Sequence, residues 1–191
     1  MPAPQRVTTS ALTDAARALA EREGVDAVTI SAVAAAVGVR APSLYKHVAH
    51  RHDLLRLVAD AAARDLGEDV ARRVGTSQDP ATVLSAIAVA VRAFSTRSPR
   101  TAALLFAAPS AEAGPSPSGM EPLVQTMLDA VRRAVPGDPL PAARTLTAWV
   151  YGFCTMEQAG AFQLGGSVDE AFAFGLRVLV GALTDPRPDA A

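Results

Sequence analysis

The chain is short of cysteine, of long apolar runs and of strand patterns. Cys154 is the only cysteine, which excludes a disulfide within the chain and fits a reducing compartment. No uncharged apolar stretch reaches about 18 residues, so we expect no membrane span. The amphipathic segment near the N-terminus carries Asp14, Arg17 and Glu21, so we expect no signal peptide. These absences predict a cytoplasmic protein.

The groups that most enzymes use are scarce as well. The sequence holds no nucleophile elbow, no phosphate-binding loop and no spaced set of metal ligands. The three histidines are His47, His50 and His52, and their spacing does not place all three imidazoles on one helical face. We therefore expect no metal, no cofactor and no catalytic activity.

What the chain does contain is helical periodicity from end to end. Half of the residues are apolar, enough for a core, and strand alternation is nearly absent. We predict an all-α fold. Its first helix is capped by Thr9 or Ser10 and ends at Gly24. Six later helices are predicted at about residues 52–74, 81–97, 99–108, 121–135, 140–164 and 168–184. We expect a flexible loop over 109–120, which is rich in proline and glycine, and a frayed tail after Pro186.

Charge is distributed unevenly between the two parts of the chain. Residues 1–52 carry six Arg and Lys against four acids, whereas residues 53–191 carry twelve against fifteen. Positive charge concentrated on one module favours phosphate binding, although this excess is small. We predict a DNA-binding domain over 1–52 and a larger helical domain over 53–191.

The segment 29–51 has the pattern of a helix-turn-helix. A helix from Thr29 to Val37 is followed by Gly38, which supplies the left-handed geometry of the turn. The next helix begins near Ala41, with Pro42 at its first position. Apolar residues predicted to face the core are Ile30, Val33, Ala34, Val37, Leu44 and Val48. The residues left toward solvent or a DNA groove are Arg40, Ala41, Ser43, Tyr45, Lys46 and His47.

This stretch resembles the signature of the TetR family of transcriptional regulators over about residues 8–56. The shared elements are a Thr-capped helix, Gly-Val, a short helix ending in Leu-Tyr-x-His, a basic residue and Leu-Leu. The resemblance implies that Thr29 caps the positioning helix and contacts phosphate, as do Tyr45 and His47. It places the base-reading positions at Arg40, Ala41, Pro42 and Ser43. Arg51 stands where most members have Lys, and Lys46 occupies a variable position within the same DNA-binding set.

Two further interpretations concern individual side chains of this segment. Tyr45 could pack against the first helix instead of contacting phosphate. His50 and His52 are interpreted as solvated loop residues.

The C-terminal part carries a weaker resemblance to the same family, in a Trp-x-x-Gly…Met-Glu…Gly-x-Phe pattern from Trp149 to Phe162. In the family these helices form an effector pocket and a dimer interface. The predicted pocket residues are Phe94, Phe106, Met127, Trp149, Phe153, Met156, Glu157 and Phe162. Ordinary core is the competing interpretation for each apolar residue. Glu157 either binds a ligand or pairs with Arg144 or Arg177, and Cys154 is a small buried residue.

The last two helices are apolar enough to need partners on more than one side. Gly152 and Gly160 allow close helix approach, and a four-helix bundle with two helices from each subunit would bury both helices. We therefore predict a homodimeric repressor that binds a palindromic double-stranded DNA operator and is released by a small, mainly apolar effector. The alternative is a helical adaptor or ligand-sensing scaffold that keeps the fold without binding DNA.

Overall fold

The structure is a computed structural model, and it describes residues 8–106, 108, 110–135 and 137–184. Within these ranges the chain forms eight α-helices, two short 3-10 turns and no strand, so the all-α prediction is confirmed. The predicted fraying after Pro186 lies outside the described residues. The helices are α1 (Thr9–Glu23), α2 (Ile30–Ala36), α3 (Arg51–Val74), α4 (Pro80–Arg97), α5 (Pro99–Phe106), α6 (Pro117–Ala134), α7 (Leu140–Gln158) and α8 (Val168–Thr184).

The N-terminal cap of α1 differs from the predicted one. Thr8 has an extended backbone, and its hydroxyl accepts a hydrogen bond from the Ala11 N–H at 3.2 Å. Thr9, one of the two predicted caps, is already helical. The cap therefore lies one residue earlier than the pattern suggested. Gly24 ends the helix with a positive φ of 103°.

The segment 109–120 is not a loop throughout, because α6 begins at Pro117. The Ser116 hydroxyl accepts the Gly119 N–H at 3.0 Å and so caps the helix. Proline is favoured in the first turn, where its missing N–H costs nothing. Ala113 is buried in the core of the first unit described below. The prediction of a loop through residue 120 was wrong because this proline begins a helix.

The end of α7 also falls earlier than predicted. Gly160, with φ of 62°, donates its N–H to the Glu157 carbonyl at 3.0 Å, and Ala161 donates to the Met156 carbonyl at 2.9 Å. This pair of bonds is the Schellman arrangement that terminates helices. Gly160 thus ends α7 and does not serve a helix contact within it.

The described chain divides into two compact units. Of the described residues, the first comprises those within 8–64 and 98–120, and the second comprises those within 65–97 and 121–184. The first unit therefore takes in α5 and the start of α3, which the predicted boundary at residue 52 assigns to the C-terminal domain. Its core includes Leu12, Leu19, Val33, Leu44, Val48, Leu54, Val58 and Leu104. These side chains hold α1, α2, α5 and the start of α3 together.

The second unit is built on the packing of α4 against α7 and α8. Phe94, Leu146 and Leu176 are among its buried side chains. Gly175 on α8 lies directly against the indole of Trp149 on α7, where a Cβ would overlap the ring. Among the described helices, none combines the length and the apolar character that a membrane span requires.

Candidate nucleic-acid interface

The first helix of the helix-turn-helix, α2, is capped at both ends by neighbouring residues. Thr29 is exposed with an extended backbone, and its hydroxyl accepts the Ala32 N–H at 3.1 Å. At the other end Gly38 has a φ of 75°. Its N–H bonds the Ala35 carbonyl at 3.1 Å, while the Val39 N–H bonds the Ala34 carbonyl at 2.9 Å. The turn is thus a Schellman cap, for which the left-handed glycine is required.

The predicted second helix is not a regular α-helix. Residues Ala41–Ser43 form a 3-10 turn, with Pro42 at the second position, and hydrogen-bonded turns continue to His47. The Leu44 carbonyl accepts N–H groups from His47 at 2.8 Å and from Val48 at 3.0 Å. So short a segment gains few backbone bonds, and a regular helix therefore has little advantage there. We call Arg40–His47 the recognition segment.

Burial separates two faces of the recognition segment. Leu44 and the following Val48 are buried in the core of the first unit. The exposed residues are Arg40, Pro42, Tyr45, Lys46 and His47, whereas Ala41 and Ser43 are half-buried. Tyr45 is 58% exposed, so it is not part of the core.

The electrostatics of this face are positive. No acidic residue occurs between Asp26 and Asp53, while Arg40 and Lys46 lie on the exposed face of the recognition segment. Cations on a surface with an exposed aromatic ring and small neighbouring side chains suit contact with phosphates and base edges. The contact roles of these residues stay predictions.

Arg51, the last residue of the predicted DNA-binding set, is placed differently. Its Nε donates to the Val28 carbonyl at 2.8 Å, and its Nη2 donates to the Val25 carbonyl at 2.7 Å. Nη2 also lies 3.3 Å from the Asp26 carboxylate, whose side chain is exposed. The structure therefore directs this guanidinium to the backbone ahead of α2.

The start of α3 is capped by a side chain that the sequence reasoning did not single out. One carboxylate oxygen of Asp53 accepts the N–H groups of His50 and Ala49, each at 2.8 Å. These bonds, that of His50 first, hold the pKa of the Asp53 carboxyl below its ordinary value.

The centroids of the His50 and His52 rings lie 5.1 Å apart. In the described ranges no group of three or more His, Cys, Asp or Glu residues is arranged to hold a metal ion.

Several predicted effector-pocket residues form an aromatic cluster in the second unit. Phe153 lies 5.7 Å from Trp149 and 4.9 Å from Phe162, measured between ring centroids. Phe172 of α8, which the sequence reasoning did not include, lies 5.3 Å from Trp149 and 5.2 Å from Phe153. Phe162 is exposed at the edge of this cluster.

The other predicted pocket residues are more dispersed. Phe94 is fully buried, and Met156 is exposed. The Met127 sulfur accepts a hydrogen bond from the Thr147 hydroxyl at 3.5 Å. Phe106 belongs to the first unit. The structure therefore gathers Trp149, Phe153 and Phe162 into one cluster.

Glu157 pairs with Arg92, not with Arg144 or Arg177, so both predicted partners were wrong. Arg92 donates to the carboxylate from Nε at 2.9 Å and from Nη2 at 2.5 Å, and Nη2 also bonds Asp169 at 2.7 Å. The bonds to Glu157 raise the pKa of Arg92 above its ordinary value. Arg92 and Arg97 are the only charged residues of α4, and a lone cation inside an apolar helix was the signal that could have identified this partner.

The ion pair lines an open groove of about 430 Å³ in the second unit, formed by Val89, Arg92, Ala93, Thr96, Arg97, Glu157, Asp169 and Phe172. The Arg92 guanidinium lies 4.7 Å from the centroid of the Phe172 ring. Of the predicted pocket residues, Glu157 alone lines this groove. Cys154 is buried as predicted, and burial raises the pKa of its thiol.

A capped helix, a glycine turn and an exposed recognition segment on a compact helical unit define a helix-turn-helix regulator. Two family models match the chain. Residues 12–58 match "Bacterial regulatory proteins, tetR family", and residues 84–179 match "Tetracyclin repressor-like, C-terminal domain". The chain belongs to the TetR family of bacterial regulatory proteins. It is thus a DNA-binding transcriptional regulator, and its family and fold point to a non-enzymatic function.

Solved structures share this fold at low sequence identity. A protein of unknown function from Rhodococcus sp. RHA1 has a TM-score of 0.78 and 20% identity, over 97% of this chain and 100% of that one. BioQ bound to its double-stranded DNA operator has a TM-score of 0.69 and 23% identity, over 94% and 99%. A TetR variant from Acinetobacter baumannii AYE in complex with minocycline has 0.70 and 23%, over 96% and 100%. No curated protein sequence matches the chain.

Proposed function

We propose that the protein is a homodimeric repressor that binds a roughly palindromic operator and is released from it by a small effector. The observation that carries the proposal is the recognition segment, whose exposed Arg40, Tyr45, Lys46 and His47 project from a buried anchor at Leu44. The helix-turn-helix of α2 and this segment would enter the major groove. The BioQ structure with its operator is the precedent for DNA binding on this fold.

The residues of the interface divide by the information they read. Arg40, Ala41, Pro42 and Ser43 lead into the segment and would face base edges, which carry the sequence code. Tyr45, Lys46 and His47 would contact phosphates together with Thr29 at the N-terminus of α2. Phosphate contacts set affinity for any sequence, whereas base contacts set preference among sequences.

The proposed dimer interface is the outer face of α7 and α8. Phe174 and Val178 of α8 are 61% and 51% exposed, although both are large and apolar. Ala148, Thr155 and Ala159 are small exposed residues of α7 and its C-terminal cap. Burying these faces against a second copy would form a four-helix bundle. Two recognition segments about 34–36 Å apart would then match successive major grooves.

The proposed effector is small and mainly apolar, and it would bind in the second unit beside the aromatic cluster of Trp149, Phe153 and Phe162. Phe94, Met127, Met156 and Glu157 are the further candidate contacts. Helix α3 connects the two units along the chain, since residues 51–64 belong to the first and 65–74 to the second. A ligand that prefers the non-binding state would shift α3 and change the separation of the two recognition segments.

A binding selection tests the proposal directly. The purified protein is mixed with a pool of random duplexes, and bound sequences are recovered over several rounds at two salt concentrations. We expect enrichment of an inverted repeat and binding that weakens as salt rises, because phosphate contacts release counterions. Absence of salt-dependent binding to any duplex would overturn the repressor proposal and leave a scaffold with the same fold.

A further inference from the structure

The Arg51 guanidinium is held by the protein's own backbone. Its Nε and Nη2 donate hydrogen bonds to the carbonyls of Val28 and Val25 at 2.8 and 2.7 Å, distances at the short end of the ordinary N–H···O range. The side chain is 40% exposed, so part of it is withdrawn from solvent. Its contact with Asp26 is longer, at 3.3 Å, and the exposed acid contributes little.

These two bonds join the beginning of α3 to the backbone ahead of α2. Arg51 is the first residue of α3, whereas Val25 opens a 3-10 turn, Val25–Ala27, which is separated from α2 by Val28 and Thr29. Val28 is fully buried and immediately precedes the Thr29 cap. The guanidinium thus fixes the backbone from which the Thr29 hydroxyl and the N–H groups of α2 are presented.

We propose that Arg51 is a positioning residue of the DNA interface and not a phosphate ligand, an inference that rests on the proposed DNA-binding function. It holds the N-terminus of α2 in place relative to α3, so that Thr29 meets phosphate at the correct angle. A planar guanidinium donates from two nitrogens to two acceptors at once, which a lysine ammonium on a flexible stem does not reproduce. A phosphate contact, in contrast, needs mainly the positive charge.

The two roles predict opposite results for a substitution that keeps the charge. If Arg51 only positions α2, Arg51→Lys and Arg51→Met both lose the paired hydrogen bonds to the two carbonyls. Both variants then weaken duplex affinity by a similar factor of about ten. If Arg51 binds phosphate, Arg51→Lys stays within about twofold of the wild type, and only Arg51→Met weakens binding. If Arg51 binds phosphate, the slope of log affinity against log salt concentration should also become shallower by about 0.9 in Arg51→Met and stay unchanged in Arg51→Lys.

The experiment measures anisotropy of a labelled duplex taken from the selection, at several salt concentrations, with the full-length protein. Arg100→Lys is the matched control, because the Arg100 guanidinium bonds the Ala20 carbonyl in the same unit away from the recognition segment. We expect this control to keep wild-type affinity. Amide hydrogen exchange without DNA supplies a second readout. Exchange at Ala32, whose N–H bonds the Thr29 hydroxyl, should quicken in both Arg51 variants, while amide exchange in the helices of the second unit is unchanged.

Each result decides between the two roles. Equal weakening by both Arg51 variants with faster exchange at Ala32 supports the positioning role. Wild-type affinity in Arg51→Lys, or unchanged exchange at Ala32, overturns the inference while the proposed function stands. A loss of affinity in Arg100→Lys of the same size also overturns it, since the effect would then be general destabilisation. A wild-type protein that binds no duplex overturns the proposed function as well.

Discussion

The phenol of Tyr45 is a large polar aromatic group that the fold leaves in solvent. Its neighbour Leu44 is fully buried, so the backbone beneath the ring is fixed while the ring itself supports little of the core. An exposed residue of this kind contributes little to folding, and substitutions there are usually within about 0.5 kcal/mol of neutral. The side chain is therefore suited to binding.

We expect Tyr45→Phe to weaken binding to all duplexes alike, because it removes the hydroxyl that would contact phosphate and keeps the ring. Tyr45→Ala should weaken binding further, and neither variant should shift the thermal unfolding midpoint appreciably. Anisotropy titrations on a selected and a scrambled duplex give the affinities, and calorimetry gives the midpoint. Wild-type affinity in Tyr45→Phe would show that the hydroxyl is not a ligand.

Arg92, unlike Tyr45, is a polar residue whose side chain makes structural contacts within the fold. Its guanidinium lies among Glu157, Asp169 and the Phe172 ring. Removing it leaves the partly buried Glu157 carboxylate without its cation, so Arg92→Ala should lower the free energy of unfolding by about 1–3 kcal/mol. The matched control is Arg97→Ala on the same helix, whose side chain is exposed and whose effect should be smaller. Urea unfolding measures both, and equal effects would contradict a structural ion pair.

At the scale of single elements, the start of α3 depends on the Asp53 carboxylate. It accepts two backbone N–H groups ahead of the first turn, so Asp53→Ala should lower the free energy of unfolding by about 1 kcal/mol at neutral pH. Because the folded pKa lies below the ordinary value of 3.8, this stability is present above pH 3.8 and is lost as pH falls through the folded pKa.

The difference between wild type and Asp53→Ala should therefore shrink toward zero in acid. Urea unfolding at pH 7, 5 and 3 follows this change directly. A difference that stays constant over the series would show that the carboxylate charge does not support the cap.

Element ends show what sequence patterns predict and what they leave open. The Thr29 cap and the Gly38 turn follow from local chemistry, since a hydroxyl cap and a left-handed glycine need only near neighbours. Gly160 was predicted to allow a close helix contact within a longer α7, whereas the hydrogen bonds to the Met156 and Glu157 carbonyls show that the helix ends there. The recognition segment was predicted in place but as a regular helix, because periodicity does not distinguish an α-helix from a short 3-10 turn.

Pairings across the whole chain were the least predictable features. Arg92 and Glu157 are 65 residues apart, and only the packing of α4 on α7 brings them together. The Arg51 contacts with residues 25 and 28 likewise depend on how α3 meets the turn ahead of α2. Sequence reasoning placed the interface residues on one segment but could not assign the partner of a long cation, because several acceptors lie within its reach.

The exposed apolar face of α8 leads to a prediction for the molecule as a whole. Phe174 and Val178 lie one helical turn apart and are more than half exposed, so acidic substitutions there should leave the folded subunit intact. We expect the Phe174→Glu/Val178→Glu double variant to sediment as a monomer, since four buried charges would oppose the proposed four-helix bundle.

Loss of the dimer should weaken operator binding by about a hundredfold or more, because a monomer engages one half-site without the effective concentration that a linked second site provides. Leu140→Glu is the matched control, an exposed apolar residue at the beginning of α7 that should leave both the dimer and the affinity unchanged. Analytical ultracentrifugation gives the mass and anisotropy gives the affinity. A double variant that stays dimeric would place the subunit interface elsewhere, whereas a monomer with wild-type operator affinity would contradict the two-half-site geometry itself.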